Sequence, residues 1–407
     1  MDELLLTRAR IASTSPDGAQ VTRPHGEPVD LHVRDGRIAA IGPGLEATVR
    51  PAVERVDVGG RVVLPGLWDA HVHLAEWALA LHSDDTAADA AGPGVSTEAL
   101  DALIAEAAQA AAARGIVGVV DFDIADNLAA WRRRVAAGHR SLRVEVAVWP
   151  GHLDRVIAEE LHSGDVLVGT GGLLTMGSLK IIADGTLRTR TAYCFDPYPG
   201  LDGENARGVL SVAPGELWLL MAHAHRKGLR CAIHAVGDAA NAVALDAFEA
   251  SGARGSIEHA QLVDPDDIHR FVDLGIVASV QPEHAMEDRD VADEAWAGRT
   301  DRAYAYGALA AAGVRLALGS DAPIAPLDPW AAIAAAVTRA RDGREPWHPE
   351  QRLELETALG ASMRSRVAPG EVADLVVLDT DPWVAADLRD MTVAATLLGG
   401  QWTWQAW

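Results

Sequence analysis

The sequence predicts an α/β protein: a parallel (β/α)8 TIM-type barrel carrying a small β-sandwich domain assembled from both chain termini. Three observations predict it. Short apolar runs alternate with helical stretches through the middle of the chain. The two ends instead show strand-like alternation of apolar and polar residues. No apolar run leads into the G-x-G-x-x-G turn of a doubly wound open sheet. A length of 407 residues suits this plan, because a barrel absorbs about 250 residues or more as one unit.

Taken in order, LLLTRARIAS, LHVRDGRIAAIGPG and ERVDVGGRVVLPG read as half-buried strands, with Asp35-Gly36 as a hairpin turn between two of them. Eight barrel strands follow: VVLPGLWDAHVHL (62–74), GIVGVVDFD (115–123), LRVEVAVWP (142–150), GSLKIIADG (177–185), LRCAIHAVGD (229–238), GSIEHAQ (255–261), GIVASVQPEH (275–284) and RLALGSDAP (315–323). Helical stretches such as TEALDALIAEAAQAAAARG and AANAVALDAFEASG separate them. Strand-like ADLVVLDTDP and VAATLLGGQWTWQAW close the chain. Residues 1–61 and 365–407 are therefore expected to form the sandwich, and 62–364 the barrel.

Composition excludes several classes. With 49% hydrophobic and 23% charged residues, disorder and collagen-like structure are ruled out. The 35 Lys+Arg against 58 Asp+Glu give a formal net charge of -23, which argues against a nucleic-acid partner. No apolar run approaches the roughly 20 residues that span a bilayer, so no membrane partner is expected. The start MDELLLTRARIAS lacks a basic n-region, and Cys194 and Cys231 make no disulfide framework; both observations point to the cytoplasm.

The chemistry-bearing residues fall at the ends of the strands. His71 and His73 stand two apart on the first strand, so both imidazoles face the same way. His234 ends the fifth strand, His259 the sixth and Asp321 the eighth, and C-terminal strand ends of a barrel converge on one site. Each histidine alone reads as a hydrogen-bonded core residue, and Asp321 alone as a helix cap. Together they read as a site for a divalent ion such as zinc.

Lys180 lies inside the apolar SLKIIA of the fourth strand. Burial near metal cations favours its neutral amine, which can take up carbon dioxide to form an anionic carbamate able to bridge two metals. The competing reading is an ammonium paired with a carboxylate such as Asp184. Arg188 and Arg190, in the loop after that strand, suit either an acidic substrate group or a structural ion pair. Gln281 and His284 end the seventh strand and face the barrel mouth as candidate substrate contacts. Asp238 suits a helix cap or the orientation of a histidine. His139, His223, His225 and His269 read as surface helix residues, and Cys231 as core.

The HVH pair after PGLWDA, the single later histidines and GSDAP resemble the amidohydrolase superfamily. Within it, SLKIIADGTLRTRTA, HAVGDAANAVALDAFE, IEHAQLVDPDDIHRF, VASVQPEH and LALGSDAPIAPLDPW resemble the YtcJ-like branch, amidohydrolase family 3. The resemblance implies two zinc ions, with His71, His73 and Asp321 on one, His234 and His259 on the other, and carboxylated Lys180 and a hydroxide bridging them. The implied activity is hydrolysis of a carbon–nitrogen, amide-type bond of a small molecule by metal-activated hydroxide, with Asp321 passing the proton to the leaving amine. Its chain is shorter than many members of that branch. The alternatives are a one-metal deaminase, whose proton-carrying Glu three residues after His234 is here Gly237, and a metal-free binding protein. Trp402, Trp404 and Trp407 offer a contact surface for a homo-oligomer.

Overall fold

The computed structural model describes residues 3–15, 18–82 and 95–407. Eight parallel strands are paired in sequence order: Leu67–Val72, Ile116–Asp121, Arg143–Val148, Leu174–Ile182, Cys231–Ala235, Gly255–His259, Val277–Val280 and Leu316–Leu318. Helices cross between them, among them Thr97–Ala113, Asn127–Ala136, Pro214–Arg226, Asp238–Ser251 and Pro282–Ala295. The first of these helices shows why they form. Ser96 caps it by accepting from the Ala99 amide, and Ile104, Ala107, Ala108, Ala111 and Ala112 bury one stripe against the barrel.

The eighth strand has only three residues of regular pairing, yet the barrel closes beyond it. The Asp321 amide donates to the His71 carbonyl at 2.7 Å, and the His73 amide to the Ala322 carbonyl at 2.9 Å. Gly319 permits this approach, since a Cβ there would stand 2.6 Å from the His71 nitrogen and 3.0 Å from Asp69 Oδ1. Gly319→Ala is expected to force the two strands apart and to cost about 1–3 kcal/mol. Chemical denaturation checks this, and an unchanged midpoint would contradict it.

Both chain ends form one further mixed sheet of eight strands, ordered Gln401–Gln405, Val393–Leu398, Leu375–Leu378, Val62–Pro65, Glu3–Ile11, Val29–Arg34 and Arg37–Gly42, with Glu54–Asp57 also on Glu3–Ile11. The strand Glu3–Ile11 turns this sheet back on itself. A register shift between Leu6 and Ala9, with Arg8 at φ 57°, moves its partner from Glu54–Asp57 to Val62–Val63. Leu6, Leu31 and Val33 from one half then pack with Val63, Leu375 and Val377 from the other. Asp35 and Gly36, at φ 52° and 74°, make the two-residue hairpin turn that the sequence signals.

The run 62–74, expected as one barrel strand, is instead two strands in two sheets: Val62–Pro65 pairs with Leu375–Leu378, and Leu67–Val72 with Ile116–Asp121. Pro65 has no amide to continue a ladder, and a Cβ at Gly66 would stand 2.3 Å from Val117, so only glycine lets the chain cross over there. Two of the three C-terminal tryptophans serve packing rather than exposure. Trp402 and Trp404 lie half-buried against the cores, while Trp407 is exposed. His139 also departs from expectation: it lies beyond the helix Asn127–Ala136, packs its ring against Trp131, and burial pushes it down to about 4. His223 is half-buried, His225 and His269 are exposed, and Cys231 is in the core. Among the described residues no helix is long and apolar enough to cross a membrane.

Candidate metal centre

The closing contact between the first and eighth strands places three site residues at once. His71 and His73 leave the first strand beside Asp321, whose φ of 57° turns its carboxylate into the barrel mouth. Asp321 Oδ1 stands 3.4 Å from His71 Nε2 and 3.5 Å from His73 Nε2, and Oδ2 stands 3.2 Å from His284 Nε2. The ring of His259 lies 5.0 Å from that of His71, 4.4 Å from that of His234 and 6.3 Å from that of His284. Two groups that can hold an ion therefore share Asp321: His71 with His73, and His259 with His284. His234 is less committed, with Nε2 3.2 Å from the Gly185 carbonyl.

The electrostatics suit a cation. Burial, and then the Lys180 charge, push His71 well below the usual imidazole value and His234 to about 4. Burial and then His234 do the same to His259. These rings are thus neutral and carry free lone pairs, as metal ligands must. Burial opposes charge on His73 and His284, but the Asp321 hydrogen bond outweighs it and raises both. Asp321 is held well below the usual carboxylate range: burial works against it, and the hydrogen bonds from His284 and His73 outweigh that cost.

Lys180 is 2% exposed, and its Nζ has no hydrogen-bond partner. It lies 4.2 Å from the centre of the Phe122 ring, and burial pushes it down to about 8. The carboxylate that competed for it is occupied, for Asp184 accepts from the amides of Tyr193, Val236 and Gly237 at 2.8 to 3.0 Å. A buried nitrogen with nothing to bond is the observation that fits a group yet to be supplied, and the donor set of imidazoles and carboxylate fits a divalent ion.

The remaining sequence candidates have other partners. Arg188 pairs with Asp288 at 2.6 Å and with Glu287 at 3.5 Å, and Arg190 pairs with Glu294 at 2.6 Å, all on the helix Pro282–Ala295. Gln281 is buried at the start of that helix and donates to the Ser279 carbonyl at 3.3 Å, which leaves its own side-chain oxygen without a partner. Asp238 accepts from the Phe195 amide and pairs with Arg302, so it holds loops rather than a histidine.

Sequence reasoning missed three supporting carboxylates. Asp69 accepts from the amides of His71 and Ser320 at 2.9 and 3.0 Å, which ties the first strand to the eighth; burial pushes it up to about 7. Glu258 Oε2 lies 2.7 Å from His71 Nδ1. Asp123, with one oxygen unpartnered, lies by His73 and Glu76. The available signal, for Asp69 alone, was an acidic residue inside the apolar strand Leu67–Val72.

With this geometry, comparison with known proteins is direct. The chain is 30% identical over 301 residues to the putative amidohydrolase YtcJ of Bacillus subtilis, which covers 69% of this chain and 55% of that protein. It is 26% identical over 319 residues to the N-substituted formamide deformylase of Arthrobacter pascens, covering 70% and 57%. The chain thus spans about half the length of these curated relatives. An uncharacterized metal-dependent hydrolase from Pyrococcus horikoshii OT3 has the same fold, with a TM-score of 0.79 at 22% identity over 96% of this chain and 99% of that one. The sequence profile of the amidohydrolase family matches residues 76–403, and the chain belongs to that family.

Proposed function

We propose that the protein hydrolyses a carbon–nitrogen, amide-type bond of a small molecule at a divalent-metal centre. The observation that carries this reading is the Asp321 carboxylate, with one oxygen facing His71 and His73 and the other facing His284. His71, His73 and Asp321 would hold one ion; His234, His259 and a carboxylated Lys180 would hold a second, with the carbamate bridging. Bound zinc supplies Lewis acidity and lowers the pKa of water at the site.

The chain's own groups do the rest. The Lys180 ammonium first gives up one proton; the neutral amine then forms a bond from Nζ to the carbon of carbon dioxide and releases a second, so that two protons leave as a buried cation becomes an anion. Asp321 accepts a proton from the attacking water and delivers it to the departing nitrogen. Gln281, with an unpartnered oxygen, and His284 face the substrate. Arg188 and Arg190 would recognise an acidic substrate group only by exchanging their present ion pairs.

Position 237 weighs against the deaminase alternative. A Cβ on Gly237 would stand 2.0 Å from the Tyr193 carbonyl oxygen, so this backbone has no room there for a proton-carrying glutamate. The relationship to an N-substituted formamide deformylase makes N-formyl and other N-acyl amines the first substrates to try. Protein purified without chelator is expected to carry at least one divalent ion per chain and to release amine from such a panel, read by elemental analysis and amine detection. Ion-free protein that stays inactive when zinc is added would overturn the reading.

A further inference from the structure

We infer that Glu258 is a positioning residue that fixes His71 with its proton on Nδ1, so that the Nε2 lone pair faces Asp321. This rests on the reading of His71 as a metal ligand. The side chains of the two residues are 1% and 2% exposed, and Oε2 of Glu258 lies 2.7 Å from His71 Nδ1. Its other oxygen accepts from the Ser256 hydroxyl, so neither end of the carboxylate is free to turn. Burial raises Glu258, while the Lys180 charge and the Ser256 hydroxyl favour its anion; as an anion it only accepts, and the proton in the contact with His71 then belongs to the ring. His71 Nε2 then presents a lone pair to Asp321 Oδ1 at 3.4 Å. Two acceptors face each other there, an arrangement that a cation between them relieves.

Regular alternation along the strand breaks off at His259. Glu258 and His259 are adjacent, and neighbours on a regular strand face opposite sides. Both reach His71, one by hydrogen bond and the other with its ring 5.0 Å away. The departure falls at His259, whose φ of 76° is left-handed, a conformation that costs about 1–3 kcal/mol for a non-glycine residue. His73 provides the contrast: its Nδ1 is buried with no partner, so of the two strand-one histidines only His71 is locked directly. Glu258 also attracts the Lys180 ammonium, and a role confined to balancing that charge is the competing account.

Histidine-labelled, metal-free protein separates the two accounts. Long-range proton–nitrogen NMR, with His71 assigned through H71N, is expected to show the Nδ1–H form in the wild type. E258Q should keep it, because the amide oxygen accepts the same bond at the same volume, and E258A should shift it toward Nε2–H. Zinc affinity by chelator competition should fall about 10–100-fold in E258A and less in E258Q. An Nε2–H ring in the wild type overturns the inference. So does unchanged zinc affinity in E258D, which keeps the charge, withdraws the acceptor from Nδ1 and serves where E258A does not fold. H71A isolates the underlying reading: zinc binding unaffected by that change removes His71 from the ligand set while leaving the tautomer result standing.

Discussion

Asp321→Asn is expected to lower kcat by about 1,000-fold, within the range for loss of a proton-transferring group, and to leave the fold in place. The substitution preserves volume and the carbonyl oxygen, and the Asp321 amide still donates to the His71 carbonyl to close the barrel. What disappears is the charge that three imidazoles converge on and the capacity to carry a proton. His73 and His284 are raised by their hydrogen bonds to Asp321, so both fall toward lower values when the carboxylate is neutralised. Histidine titration in the metal-free variant therefore gives a second readout, independent of turnover. The decisive measurement is kcat at matched metal occupancy. A variant within tenfold of wild type, with its ions in place, would mean that another group moves the proton.

The gathering of His71, His73, His234, His259 and Asp321 at one end of the barrel was legible in the sequence. His71 and His73 are two apart, and His234, His259 and Asp321 each fall late in an expected barrel-strand segment, so barrel convergence brings them together. Glu258 was not legible for the same reason: if His259 faces inward, alternation sends Glu258 outward, and only the left-handed φ at His259 reverses this. The crossing at Gly66 was hidden in a similar way, since an uninterrupted apolar run from 62 to 74 carries no mark that its two halves belong to different sheets. Arg188 and Arg190 show a third limit. Their acidic partners lie about a hundred residues further on, and a local reading of the loop could not see that Glu287, Asp288 and Glu294 form one helix face beside them.

If the proposed two-ion centre is right, Lys180→Ala is expected to remove the second ion and leave the first. Lys180 is buried beside Phe122 with an unbonded nitrogen, an expensive placement for an ammonium and a reasonable one for an amine that becomes a carbamate. Deleting a ligand should weaken the second ion by more than about 100-fold, the upper end for groups that only support a ligand. Alanine also leaves a space beside Phe122, so acetate or propionate is expected to enter and restore part of both ion content and turnover. The chain contains only two lysines, Lys180 and the exposed Lys227, which makes the modification easy to assign. Protein equilibrated with carbon-13 bicarbonate should show a carbamate carbon resonance that is absent from the alanine variant. Plain lysine at full two-ion occupancy would refute the bridge. If the variant instead keeps both ions, the group of His259, His284 and Asp321 holds the second one unaided, and the carboxyl bridge is unnecessary.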